Sequence, residues 1–314
     1  MPLFGIRRTP TARLTPELDD RDLGRVRKQV EAPAISGMSE IQIDQVERLL
    51  KDTGADWDRR AHRIGVLAES AADSNLARSW LLRRPRHADA LVLHARVDLV
   101  RARRANGTVD AQAVADRCYR AAELWPEDPT PWVVLLGLLR VQRSRPHEVF
   151  AVWDEITSRD PWNRDAHLEM LGYLGPEEGG SRSQTLDFVD ATVSGMPAQA
   201  PTAGLALTAE VSRYRRTVVA GGVDALLADR LWGHAHPAAM LDRALADWTV
   251  PGFLAHAAAL ADLNLLAYAL VEAKRPRDAG QVFALLGGTV TAWPWGLDGQ
   301  PVERFSYWRS RSQG

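Results

Sequence analysis

The chain has 314 residues, of which 46% are hydrophobic and 25% charged, the proportions of an ordinary soluble protein. Thirty-nine basic residues against forty acidic ones leave a net charge of −1, which excludes a global attraction to nucleic acid or to a membrane surface. Cys118 is the sole cysteine, so no intramolecular disulfide forms, and its place on the packing face of a helix points to a buried thiol.

Residues 1–38 are rich in Pro, Thr, Arg and Asp without sustained periodicity, and are expected to form a flexible tail with a short charged helix over 19–30. The start, Met1 to Arg8, lacks the apolar run of a signal peptide. The most apolar later stretch, 250–271, carries His256, Asp262 and Asn264, so a cytoplasmic location is expected. Arg7-Arg8-Thr9-Pro10 has the form of a basic-directed phosphorylation site, but such tetrapeptides arise often by chance and a plain solvated tail is preferred.

Ser39 with Gln42 three residues on has the form of a capping box, opening a helix to Leu50 that Gly54-Ala55-Asp56 ends. Residues 57–70 and 75–84 read as a helical hairpin, and 89–104 and 110–124 as the next, joined through Ala105-Asn106-Gly107-Thr108. Pro131 stands in the first turn of the most apolar helix, Trp132-Val133-Val134-Leu135-Leu136, where its missing N–H would be unpaired anyway. Helices over 146–158, 165–174 and 185–194 follow, the last two joined by Gly175-Pro176-Glu177-Glu178-Gly179-Gly180. Gly179-Gly180-Ser181 lacks the preceding strand and the lysine of a phosphate-binding loop, so it reads as a hairpin loop. Later helices are expected over 202–217, 223–231, 237–248, 253–273 and 277–286. Residues 287–314, with Trp293-Pro294-Trp295 and Phe305-Ser306-Tyr307-Trp308, are expected to form an irregular, aromatic-rich cap.

Pro85, Pro126, Pro161 and Pro197 each close a helical segment and lie 41, 35 and 36 residues apart. Self-similarity at this period marks stacked helical hairpins, none of which buries its apolar face alone. The pattern runs through Trp132, Leu135 and Leu139, then Val149, Trp153, Ile156 and Pro161. Val114, Cys118, Ala121 and Pro126 repeat its end, and Leu263, Leu266, Ala267, Leu270, Ala279, Phe283 and Leu286 repeat it late in the chain. On these residues the chain resembles the tetratricopeptide (TPR) repeat in degenerate form, with His167 and Ala203 standing where an aromatic is expected.

The resemblance implies an all-α fold: a TPR-like α-solenoid of about six antiparallel helical hairpins in a right-handed superhelix, over 39–286. It also implies a non-enzymatic scaffold that binds a protein or peptide partner along its concave groove and needs no cofactor. Carried onto the first helix of each hairpin, the groove positions are Asp89, Arg96, Thr130, Val133, Asp165, Asn264 and Tyr268. The family's best-known pocket clamps a terminal carboxylate with Lys, Asn and Arg. This chain has Asn264 but no matching lysines, which argues against a chaperone-tail ligand.

Two other function classes compete with the scaffold. The chain holds no GxSxG, Walker A, GxGxxG, HExxH or paired CxxC pattern. Its nearest approach to a metal set is His234-Ala235-His236, with Asp242 and His256 close in sequence. Two histidines at i and i+2 converge on a strand but diverge by roughly 200° on a helix. An enzyme or enzyme partner with a pocket there, beside the aromatic C-terminus, is the first alternative. Arg96, Arg101, Arg103 and Arg104 are the core of a basic stretch from Arg83 to Arg104, a face for nucleic-acid backbone or an acidic peptide. The plain reading is a solvated face, and a nucleic-acid regulator ranks last.

Overall fold

The computed structural model describes residues 10–32, 38–105 and 108–312; among them the chain is all-α apart from one pair of two-residue strands. Arg7, Arg8 and Thr9 of the phosphorylation-like tetrapeptide lie outside the described residues, as do Asn106 and Gly107 of the expected loop. No helix of the described residues is long and apolar enough to cross a membrane. The chain divides into two compact units, Asp19–Leu205 and a second made of residues from Ala206 onward with the segment up to Leu18.

The first unit holds α1 (Arg21–Glu31), α2 (Met38–Lys51), α3 (Trp57–Ala71), α4 (Leu76–Arg83), α5 (Ala88–Ala105), α6 (Ala111–Leu124), α7 (Thr130–Val141), α8 (Pro146–Thr157), α9 (Arg164–Tyr173) and α10 (Arg182–Gly195). Local chemistry sets several starts. The side chains of Asp20, Asp56, Asp110, Asn163 and Ser181 each accept a backbone N–H of the first turn, a cap that contributes typically about 1 kcal/mol. Pro131 and Pro146 occupy first turns, where no N–H is missed. The odd-numbered helices pack in succession, α1 on α3, α3 on α5, α5 on α7 and α7 on α9. Arg120 donates to the Pro85 carbonyl at 3.0 Å and Arg159 to the Pro126 carbonyl at 2.6 Å, so the proline period reappears as a hydrogen bond between neighbouring hairpins.

Helices α5 and α7 are enclosed. Four consecutive residues, Ala90 to Leu93, are fully buried in α5, and Val133 to Leu136 are buried in α7. Consecutive burial covers every side of a helix, the mark of an element inside a core rather than on a wall. Each large side chain so placed contributes roughly 1.5–3 kcal/mol relative to exposure. Cys118 of α6 lies in the same core, and burial pushes its thiol up to about 12, which leaves it unreactive.

In the second unit β1 (Arg13–Leu14) pairs in parallel with β2 (Thr289–Val290). The helices are α11 (Leu205–Ala220), α12 (Gly222–Leu226), α13 (Ala235–Trp248), α14 (Ala259–Glu272), α15 (Pro276–Leu286) and α16 (Pro301–Ser312). α14 and α15 form a hairpin, and α16 packs on α15. Between them Tyr268, Phe283, Trp295 and Phe305 make an aromatic core with ring centroids 5.0–5.8 Å apart.

Several expectations are corrected. The segment before the short helix is not loose, since β1 takes a partner 276 residues away in sequence (Arg13 to Thr289), while the helix expected over 19–30 does form, as α1 with Asp20 as its cap. Ser39 is inside α2 rather than capping it, its hydroxyl accepting from Arg83 at 3.2 Å, while Gln42 donates to the Gln29 carbonyl at 2.7 Å. The helix expected from 253 starts at Ala259, since the chain before it turns to bring His256 against Asp262 at 3.3 Å. Residues 301–312 of the supposedly irregular cap are helical, their Phe305 filling the aromatic core.

Candidate functional site

Two buried charge centres join the odd-numbered helices of the first unit. In the first, Arg60 of α3 is completely buried and its Nε donates to Asp128 at 2.9 Å, while Nη2 pairs with Asp89. Asp89 lies in the first turn of α5, and Asp128 precedes α7 and accepts the Thr130 N–H at 2.8 Å. The guanidinium also lies 4.6 Å above the Trp125 ring. One cation therefore ties α3 to the starts of both following first helices.

The second centre gathers around Glu169 of α9. Arg103 of α5 reaches it at 2.8 Å, Arg140 of α7 at 2.9 Å and Arg96 of α5 at 3.6 Å. Arg140 also pairs with Glu178 at 2.5 Å, and Arg96 approaches Asp165 at 3.8 Å. Burial alone would raise the Glu169 carboxyl; the surrounding arginines outweigh it and hold the group below the usual range. Arg103 passes close over Gly137 of α7 on its way to α9: a Cβ there would stand 3.2 Å from the guanidinium, a tight contact. At Gly172 a Cβ would fall inside the Arg140 guanidinium. Gly137 and Gly172 are 35 residues apart, the repeat spacing, and this is the signal in the sequence that points to the centre.

These centres relocate the expected groove residues. Asp89, Thr130 and Val133 are buried, the first as partner of Arg60. Asn264 and Tyr268 are completely buried in the second unit. The Asn264 side chain donates to the carbonyls of Leu260 and Thr289 and accepts from Trp295 Nε1 at 2.8 Å, while Tyr268 packs edge-on against Trp295. Both are fastenings of the fold. Arg96 and Asp165 remain partly exposed but face each other. The basic face is likewise engaged: Arg101 donates to the carbonyls of Ala72 and Ser74, and Arg104 pairs with Glu69 and Asp73. Cations held by internal carboxylates have little charge left for a phosphate backbone.

His234 and His236 are exposed at the start of α13. Asp242 pairs instead with Arg275 at 2.7 Å, and His256 is buried against Asp262. Among the described residues no three His, Cys, Asp or Glu side chains are placed to hold a metal ion.

His167, expected where a repeat would place an aromatic, packs as one, with its ring centroid 4.9 Å from Trp153 and 5.8 Å from Phe188. Burial lowers its pKa, only partly offset by the hydrogen bond to the Asn163 carbonyl; burial likewise lowers those of His87 and His94. A folded-state pKa below the unfolded value of about 6.5 means that the unfolded chain binds more protons as pH falls. The stability these histidines leave intact is therefore complete above pH ~6.5 and lost progressively below it. Thermal unfolding from pH 8 to 5.5 should show a midpoint that is level at first and then declines, with a shallower decline in His167→Phe. An unchanged slope in that variant would show that the ring is hydrated in solution.

The even-numbered helices differ in kind. Tyr119 of α6, Phe150 of α8 and Leu186 of α10 are 48%, 46% and 44% exposed, while the same helices bury Val114, Val149 and Val189. Trp153 of α8 and Phe188 of α10 touch with centroids 5.7 Å apart, so these two helices are neighbours. Core and surface together define an all-α protein of successively packed helices, cross-tied by buried charge and apolar at several points of its surface. No protein-family model, curated protein or solved structure matches the chain.

Proposed function

We propose that this chain is a non-enzymatic, cytoplasmic scaffold of TPR-like hairpins that binds a protein partner through its even-numbered helices. One observation carries the reading: α5 and α7 are enclosed and their charges paired within the chain, whereas α6, α8 and α10 leave large apolar side chains in water. Large apolar groups held on preformed helices bind with little ordering cost. The partner surface is then not the row of first helices that the TPR resemblance implies.

The test uses the full chain as bait in a native lysate beside a Phe150→Glu/Leu186→Glu variant, with bound proteins quantified by mass spectrometry. The expected result is a protein retained by the natural chain and reduced at least tenfold by the variant, whose helical content is unchanged. Equal retention by both removes α8 and α10 as the contact surface. If neither bait retains a protein above background, the scaffold reading fails.

A further inference from the structure

Resting on that reading, the exposed faces also carry a charge signature that says what kind of partner fits them. Four residues after each exposed apolar side chain stands a carboxylate: Glu123 after Tyr119, Asp154 after Phe150 and Asp190 after Leu186. Residues at i and i+4 share one face of a helix, so each apolar group and its carboxylate are neighbours. All three carboxylates are exposed, and none has an ion pair or side-chain hydrogen bond among the described residues. Phe150 and Leu186 are 36 residues apart, as are Pro161 and Pro197, so the α8 and α10 pairs are equivalent positions of two consecutive hairpins. The pair on α6 has the same order one turn further along.

The contrast with the rest of the unit is in what holds each charge. The arginines of α6 are engaged, Arg117 with Asp98 at 2.5 Å and Arg120 with the Pro85 carbonyl. Those of α5 and α7 close on Glu169, Glu178, Glu69 and Asp73. The basic side chain on α10, Arg182, is in its first turn, eight residues before Asp190. Unpaired negative charge is thus what these faces present beside their apolar groups.

We infer that α8 and α10, extended by α6, dock a basic amphipathic helix of another protein. Its apolar side chains rest on Phe150 and Leu186, and its Lys or Arg side chains pair with Asp154 and Asp190. Helices have no free backbone edge, so a partner adds no strand here and is read through side chains alone. Apolar contact supplies affinity, while the carboxylates at the rim set orientation and select against acidic segments. Rim pairs are screened by salt, so binding falls as ionic strength rises.

The experiment places a photo-reactive phenylalanine analogue at position 150, 186, 82 or 219 of the full chain, cross-links it in the native cell, and sequences the captured peptides. Leu82 of α4 and Val219 of α11 are still more exposed than Phe150 and Leu186, and serve as comparison positions that lack the carboxylate four residues on. Expected are products at 150 and 186 whose captured peptide has Lys or Arg within one helical turn of the cross-linked apolar residue. Their yield should drop at least tenfold in Asp154→Lys/Asp190→Lys, whose circular dichroism is unchanged. Captured peptides that are acidic or neutral, or a yield indifferent to the charge reversal, overturn the inference. Products only at 82 or 219 overturn it while leaving a scaffold in place; no product at any position overturns both.

Discussion

Arg60→Met is expected to destabilise the first unit by about 3–5 kcal/mol, the loss that follows when one member of a buried ion pair is removed and its partner stays charged. Arg60 and Asp128 have side chains 0% and 1% exposed, and Asp89 only 8%. Taking away the guanidinium leaves two carboxylates facing each other in the core. Methionine keeps much of the volume, so the cost is electrostatic rather than a cavity. The prediction sharpens with Arg60→Met/Asp89→Asn/Asp128→Asn. Neutral amides remove the unpaired charge, and the amide introduced at position 128 still offers an oxygen to the Thr130 N–H. Most of the lost stability should return. Denaturant unfolding of the three chains decides it: a single-variant loss below ~1 kcal/mol would mean that water reaches this centre in solution.

The architecture was largely legible because its determinants are local. Asp56, Asp110 and Asn163 cap the helices they precede, Pro131 and Pro146 stand in first turns, and the proline spacing matches the hydrogen bonds made by Arg120 and Arg159. The site was not legible in the same way. Asp89, Thr130 and Val133 were expected to line a groove, but nothing local reveals that all three are buried or that Arg60, 29 and 68 residues before Asp89 and Asp128, closes on those two aspartates. Arg103 similarly reads as part of a basic face until Glu169, 66 residues on, takes its charge across Gly137. Pairings of this range depend on how successive helices curve past each other, which periodicity does not encode. Phe150 with Asp154 and Leu186 with Asp190 are four residues apart on one helix, but the sequence alone does not mark which side of that helix stays in water, so the spacing did not single them out.

Asn264→Ala is the second large effect, and it concerns the ends of the chain rather than a partner. The side chain is completely buried in α14 and makes four contacts: its amide donates to the Leu260 and Thr289 carbonyls, and its oxygen accepts from Trp295 Nε1 and the Thr291 N–H. Alanine removes the acceptor of a fully buried indole N–H and a donor to β2. Each buried group left unpaired costs ~1–3 kcal/mol, so a loss of roughly 3 kcal/mol is expected for the two. It should be local before it is global. β2 holds β1 through the Arg13 and Thr15 N–H groups, and Trp295 packs on Phe283 and Phe305. Amide exchange over 289–312 and 13–15 should therefore accelerate at least tenfold while the middle of α14 and α15 keeps its protection. Acceleration equal across the whole unit would mean that Asn264 supports its core in general; no acceleration would mean that the indole finds another acceptor. In either of the first two cases, binding lost by an Asn264→Ala variant would report a damaged second unit, so the residue cannot serve to locate a partner surface.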